Sequence, residues 1–302
     1  MKTSYKFIIF VTLLISSVFF LTLNVLPNLT GDEALDSFIN QDTNNPLGSN
    51  FLHNNGGSCM EGSLTFHKPN NNEILTQEEW KLIWQDEFEY NCLDPSNWNI
   101  EDWAAEKNNE LQYYSPSNVK VEDGLLKLIS KNEKFKGRDY TSGAVHSMGK
   151  FNFLYGKVEM KAKLPVGQGV FPAFWMMPDK GDTWLPEIDI MEMLGHEPNE
   201  VWMVSHWLDT AGTLNSDANT FKGPDFSKGF HTFSIEWTPD SITWFIDDIE
   251  RFQSSKFIPT ENMYLYLNTA IGGSWPGSPE YSTVFPVNYE IDYVRVFKSN
   301  KE

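Results

Sequence analysis

Cysteine is nearly absent from this chain: 302 residues carry only Cys59 and Cys92. That excludes a disulfide-dense scaffold, and no CxxC pair offers a zinc site. One disulfide outside the cytoplasm and two separate thiols both remain open, because sequence spacing does not say whether two Cα atoms lie within bridging distance. Basic residues are also scarce. Against 41 Asp and Glu stand 23 Lys and Arg, leaving a formal net charge of −18. Such a surface repels phosphate backbones and excludes nucleic acid as a partner. It disfavours a sulfated or uronic polymer as substrate and suits a neutral one. His146, His196 and His231 show no ligand spacing, so no catalytic metal is expected. Long helical periods and internal repeats are missing too.

What the chain does have is aromatic side chains, 15% of all residues, with 11 Trp among them. A core uses some; a sugar-binding surface uses others, because the apolar faces of sugars lie flat on indole rings. The N-terminus carries Lys2 and Lys6, then an uncharged stretch from Phe7 to Leu26. That length spans a bilayer as a helix, and no small-residue cleavage pattern follows it. Residues 1–27 are therefore expected to be a signal-anchor with the lysines inside, or else a cleaved signal peptide. Either way the rest of the chain lies outside the cytoplasm. Residues 28–75, rich in Asn, Gly, Ser and Asp, bury too little apolar surface to offset chain entropy and read as a flexible linker.

From residue 76 to 302 short aromatic and β-branched runs alternate with Gly, Pro and Asp turns. Lys157 to Leu164 alternates strictly, with Val158, Met160, Ala162 and Leu164 on one face and Pro165 ending the run. Val119 to Ile129 predicts two strands around Glu122-Asp123-Gly124. Phe233 to Asp247 predicts another pair, and Tyr289 to Phe297 a final strand. Many short strands at regular spacing predict an all-β sandwich.

One segment concentrates acid: Glu187-Ile188-Asp189-Ile190-Met191-Glu192. Glu187 and Asp189 are two apart and share a strand face. Glu192, five from Glu187, falls on the opposite face of a regular strand. A β-bulge near Ile190-Met191 restores the parity and brings all three acids together. Clustered carboxyls repel one another and raise at least one pKa, as a general acid at neutral pH requires. Spacing alone describes a solvated strand face equally well.

The surrounding sequence adds specificity. Glu-Ile-Asp-Ile-Met-Glu resembles the active-site strand of glycoside hydrolase family 16, in the bulged form of laminarinases. The resemblance runs over about residues 83–298. It takes in Trp84-Gln85-Asp86-Glu87-Phe88, Asn108-Asn109-Glu110-Leu111-Gln112-Tyr113-Tyr114, Tyr155-Gly156-Lys157 through Leu164-Pro165, and Gly167-Gln168-Gly169. It continues through Pro172-Ala173-Phe174-Trp175-Met176, then Asn268 with Gly272-Gly273-Ser274-Trp275-Pro276-Gly277, and Ile291-Asp292-Tyr293-Val294-Arg295-Val296.

The resemblance implies a jelly-roll β-sandwich with a concave substrate cleft, and hydrolysis of a β-glucan, foremost β-1,3-glucan, with retention. Carried over by position, Glu187 would be the nucleophile and Glu192 the acid/base. Asp189 would hold Glu187 in place and tune its charge. Asn109, Phe171, Trp175, His206, Trp207 and Trp275 would contact sugar. No cofactor is implied for catalysis; a structural calcium is, held by Glu87, the Gly124 carbonyl and Asp292, since oxygen donors suit that ion. The expected partners are the polysaccharide and, through the N-terminal segment, the membrane, met by a monomer. Two departures stand out: Phe171 replaces the Trp usual in laminarinases, and Ala144 replaces an Arg common in the family. A mixed-linkage glucanase, a transglycosylase and a non-catalytic glucan-binding module are the competing functions on the same fold.

Overall fold

The computed structural model describes residues 80–180 and 183–300. The expected anchor, the linker, Cys59 and the first residues of the expected catalytic domain lie outside them. No helix among the described residues is long and apolar enough to cross a membrane.

Two sheets stack into a sandwich. The larger runs Ile249–Ser254, Ile242–Ile246, His231–Trp237, Gly156–Lys163, Val287–Ser299, Leu125–Phe135, Arg138–Ser142, Gln112–Tyr114 and Trp103–Ala104. Trp80–Asp86 also pairs with Val287–Ser299, and Val119–Glu122 with Leu125–Phe135. The seven-stranded sheet runs Leu214–Lys222, Glu200–Leu208, Glu187–Glu192, Val170–Pro178, Met263–Ile271, Ala144–His146 and Asn99–Ile100. Pairing is antiparallel throughout, except between Gln112–Tyr114 and Arg138–Ser142.

The expected strand pairs are present. The turn between Val119–Glu122 and Leu125–Phe135 has positive φ at both Asp123 and Gly124, the twist that two-residue hairpins need. In Gly156–Lys163 the apolar face, Val158, Met160 and Ala162, is fully buried. Its polar face differs from a simple solvated one. The strand lies in mid-sheet, and Glu159 is buried there, paired with Lys157 at 3.1 Å and accepting from Tyr293 Oη at 2.8 Å.

The core lies between the sheets. From the seven-stranded sheet come Phe174, Met176, Ile188, Met191, Met203, Leu265 and Leu267; from the larger sheet come Leu126, Val158, Met160, Phe233, Ile235, Trp244 and Val294. Successive strand residues point to opposite faces, so the alternate residues of the smaller sheet form its outer face.

On Glu187–Glu192 the register against both neighbours shifts between Asp189 and Glu192. The strand carries one residue more than its partners there. Ile190 and Met191 are both buried in the core, while Glu187, Asp189 and Glu192 stand opposite His206, Val204 and Trp202. A bulge interrupts the ladder and leaves backbone groups to be satisfied elsewhere. Trp244, fully buried and rooted in the opposite sheet, donates its indole N–H to the Asp189 carbonyl at 2.8 Å.

The residues that the resemblance offered for calcium have other partners. Glu87 accepts both guanidinium bonds of Arg295, at 2.7 and 2.8 Å. Asp292 pairs with Lys161 at 2.7 Å. Gly124 is committed to the hairpin turn. With a cation already on each carboxylate, the donor set does not fit a calcium ion as it stands, because a dication there would face Arg295 and Lys161.

Replacing Trp244 by Phe keeps an aromatic core residue but removes the donor to the Asp189 carbonyl. A buried acceptor left unpaired costs about 1–3 kcal/mol. Denaturant unfolding of Trp244→Phe is expected to show a loss of that size. Stability equal to the parent's would mean that the bulge holds without the indole.

Candidate active site

The register lays out the outer face of the seven-stranded sheet in rows. One row is His206, Glu187, Met177 and Tyr264; the next is Val204, Asp189, Trp175, Tyr266 and His146; the third is Trp202, Glu192, Ala173, Asn268 and Ala144. All three acids therefore share one face, one per row.

Their electrostatics follow from burial. Asp189 is only 3% exposed, and the Glu187 side chain 14%. Desolvation pushes all three carboxyls well above the usual carboxylate range, and mutual repulsion adds to it: Glu192 acts on Glu187, Glu187 on Asp189, and Asp189 on Glu192. A hydrogen bond between Asp189 and Glu187 raises Asp189 further and holds Glu187 back. The bond thus favours the charged form of Glu187 over that of Asp189.

His206 completes the group. Its Nε2 lies 3.5 Å from Asp189 Oδ2 and 4.0 Å from Glu187 Oε1. Burial lowers its pKa to about 4, so the ring is uncharged at neutral pH and does not neutralise the acids. Asp189 Oδ2 and His206 Nδ1 are both buried without a hydrogen-bond partner, leaving capacity for a further polar group. Carboxylate and imidazole atoms of Glu187, Asp189 and His206 lie within 4.8 Å of one another. That set has the composition of a cation site.

Aromatic side chains stand on either side. Beside Glu192, Trp275 meets Phe171 edge-on at 5.2 Å and Trp202 at 5.3 Å. The loop carrying Trp275 is held by the Asn108-Asn109 block: Asn109 Nδ2 donates to Ser274 Oγ at 2.8 Å, and the Ser274 amide donates to the Asn108 carbonyl at 2.8 Å. Gly272 opens that loop with φ +72°, and a Cβ there would lie 2.5 Å from Leu111; only glycine permits this approach. Across the acids, Trp175 packs on Tyr266 at 4.8 Å and donates to Asn268 Oδ1 at 2.9 Å, while Asn268 donates to Tyr114 Oη at 2.9 Å.

Of the expected sugar contacts, Phe171, Trp175, His206 and Trp275 share this face, and Asn109 braces the Trp275 loop. Trp207 does not belong with them. It follows His206 directly, so strand alternation turns it to the other side, where it stacks on Phe257 at 5.4 Å and 4°. Trp202 stands four residues before His206 and so shares its face, a position that no sequence motif announces. Tyr266 joins this face by the same alternation, counted from Asn268.

Comparison with known proteins places the chain in a family. The family model for glycosyl hydrolases family 16 matches residues 96–295. A second model, beta-glucan synthesis-associated protein SKN1/KRE6/Sbg1, matches residues 2–183. A beta-glucanase of Rhodothermus marinus is 36% identical over 250 residues, 72% of this chain and 85% of that protein. Glucan endo-1,3-beta-glucosidase A1 of Niallia circulans is 33% identical over 72% of this chain, which spans only 38% of that longer protein. The catalytic domain of a laminarinase from Thermotoga petrophila RKU-1 superposes with TM-score 0.68 at 36% identity, covering 73% of this chain and 98% of that one. The sandwich is thus a jelly roll of the laminarinase type. The first of the two family matches contains the whole acid-bearing strand and both aromatic walls, and this chain belongs to glycosyl hydrolases family 16 as a glycoside hydrolase.

Proposed function

We propose that the chain is a retaining endo-glycosidase that cleaves β-glucan, with β-1,3-glucan as its main substrate. One observation carries this: the bulge puts Glu187 and Glu192 on one face with Asp189 between them, each carboxyl raised by burial. In this reading Glu192, protonated, gives its proton to the leaving oxygen while the ionised Glu187 attacks the anomeric carbon. A glycosyl ester forms on Glu187. Glu192, now ionised, takes a proton from water, whose oxygen displaces Glu187. Asp189 keeps Glu187 ionised and oriented. Phe171, Trp175, Trp275 and His206 contact the sugar chain. The substrate follows the Thermotoga petrophila and Niallia circulans proteins, which are named for 1,3-linked glucan.

The second family match favours one alternative, transglycosylation during glucan assembly. The ester on Glu187 would then be displaced by a sugar hydroxyl instead of water. Products longer than the starting oligosaccharide would mark transfer; only shorter ones, hydrolysis. Lys2 and Lys6 before the uncharged stretch 7–26 support an anchor at 1–27, with a tether at 28–75 carrying a catalytic domain from about residue 76 outside the cytoplasm. Cell fractionation should recover the intact chain with membranes; release into the medium with a new N-terminus soon after Leu26 would replace the anchor by a cleaved signal.

On laminarin, Glu187→Gln is expected to abolish turnover and retain glucan binding, since an amide fills the space but cannot attack. Glu192→Gln should be slow on glucan, far less impaired on an activated aryl glycoside, and accelerated by azide in its second step. Identical profiles for the two variants would refute the assigned roles. The raised Glu192 carboxyl has a further consequence with a definite sign. A folded pKa above the unfolded one gives stability that is present at low pH and lost as pH rises through the folded value. Glu192→Gln should therefore melt at a higher temperature than the parent at neutral pH, with the gap closing as pH falls toward 4. A gap that is absent at neutral pH, or that widens on acidification, would contradict the burial argument.

A further inference from the structure

On the side of the acids away from His206, aromatic rings continue across three strands in the Asp189 row. Trp175, Tyr266 and His146 occupy successive register positions. Tyr266 packs against Trp175 at 4.8 Å, and His146 stacks on Tyr266 at 5.6 Å and 10°. Strands lie about 4.8 Å apart, so the strip reaches roughly 14 Å from Asp189.

It ends at Glu101, whose side chain is 20% exposed. Tyr266 Oη donates to Oε1 at 2.8 Å, and the Trp103 indole N–H donates to Oε2 at 2.7 Å. His146 Nε2 is 3.6 Å from Oε1. The Met148 amide donates to His146 Nδ1 at 3.3 Å, which assigns the ring proton to Nε2, facing Glu101. A carboxylate has about four acceptor positions. Two are used here, and they fix the group in place; the others remain for an outside donor. Trp103 is 39% exposed and stands in register with Tyr114, edge-on at 5.4 Å, so its ring is on the same face as the strip. Ala144, beside His146, contributes no polar group.

We infer that Glu101 and Trp103 form a distal sugar subsite, in which a neutral sugar lies on the Trp103 ring and donates a hydroxyl to the Glu101 carboxylate. The inference rests on the β-glucanase reading and deepens it. It adds a sign of charge to specificity at that position, because a sulfated or uronic unit would meet the carboxylate directly. The arrangement is braced from behind, so Glu101 is held ready for a donor and need not move to meet one.

The test is kcat/KM on β-1,3-gluco-oligosaccharides of increasing length, for the parent, Glu101→Gln and Trp103→Ala. Trp103 is at the surface, so Trp103→Ala keeps the test alive if Glu101→Gln folds poorly. In both variants the preference for long over short oligosaccharides should fall about tenfold, the size of one charged hydrogen bond. If an active parent shows a length preference that neither variant changes, or if both variants lose activity equally at every length, the subsite is wrong and the β-glucanase reading stands. A folded parent that cleaves no β-glucan overturns the reading, and the subsite with it.

Discussion

The bond from Trp244 to the Asp189 carbonyl is the contact on which the acid geometry rests. In an unbroken strand, period-two alternation would turn Glu192 into the core and Met191 out of it. An unpaired carboxylate there would be far more costly than the bulge. The extra residue resolves the conflict by burying Ile190 and Met191 together and returning Glu192 to the outer face. The cost is one interrupted stretch of ladder. Trp244 offsets it from the opposite sheet, 55 residues away in sequence. The spacing of the acids on one sheet is thereby set partly by the packing of the other.

A second constraint follows once the acids share a face. Three carboxyls that are little exposed cannot all be ionised, and among the described residues no lysine or arginine pairs with them; Lys222, on the same sheet, is held by Glu200. His206 does not help, since burial keeps it neutral. Protons must therefore remain in the cluster at pH values where exposed carboxyls have lost theirs. Burial and repulsion raise all three, and only Glu187 has a hydrogen bond, from Asp189, that counters the rise. Burial and adjacency thus make three carboxyls of one face unequal.

Much of this was legible in the sequence because it rests on parity. Alternation identified the strand Lys157–Leu164, and counting from Glu187 to Glu192 demanded a bulge at Ile190-Met191. What was not legible depends on partners distant in the chain. Nothing near Asp189 announces Trp244. Nothing near Glu87 or Asp292 announces that Arg295 and Lys161 already hold them. Trp207 differs for another reason: His206 and Trp207 are adjacent, and adjacent strand residues point to opposite faces, so both could not line one cleft. The same rule applied outward from His206 leads to Trp202, which has no motif of its own.

The two aromatic groups flanking the acids differ in a way that bears on how a polymer would be held. Around Trp275 the rings meet edge-on: Phe171 and Trp202 rise from strands, while the loop carrying Trp275 is tied to Asn108 and Asn109. They form a wall whose shape depends on chain segments more than 150 residues apart in sequence, here 165 between Asn109 and Ser274. Around Trp175 the rings rise from adjacent strands and are fixed by the register of the sheet itself, through Asn268 and Tyr114. A wall held by loops adjusts more readily than a floor held by a ladder. Phe171, though it touches Trp275, belongs to the sheet: its backbone is in register with Ala270. Of the rings beside Glu192, Trp275 is therefore the one whose position is set by a loop, and the others keep the geometry of the ladder.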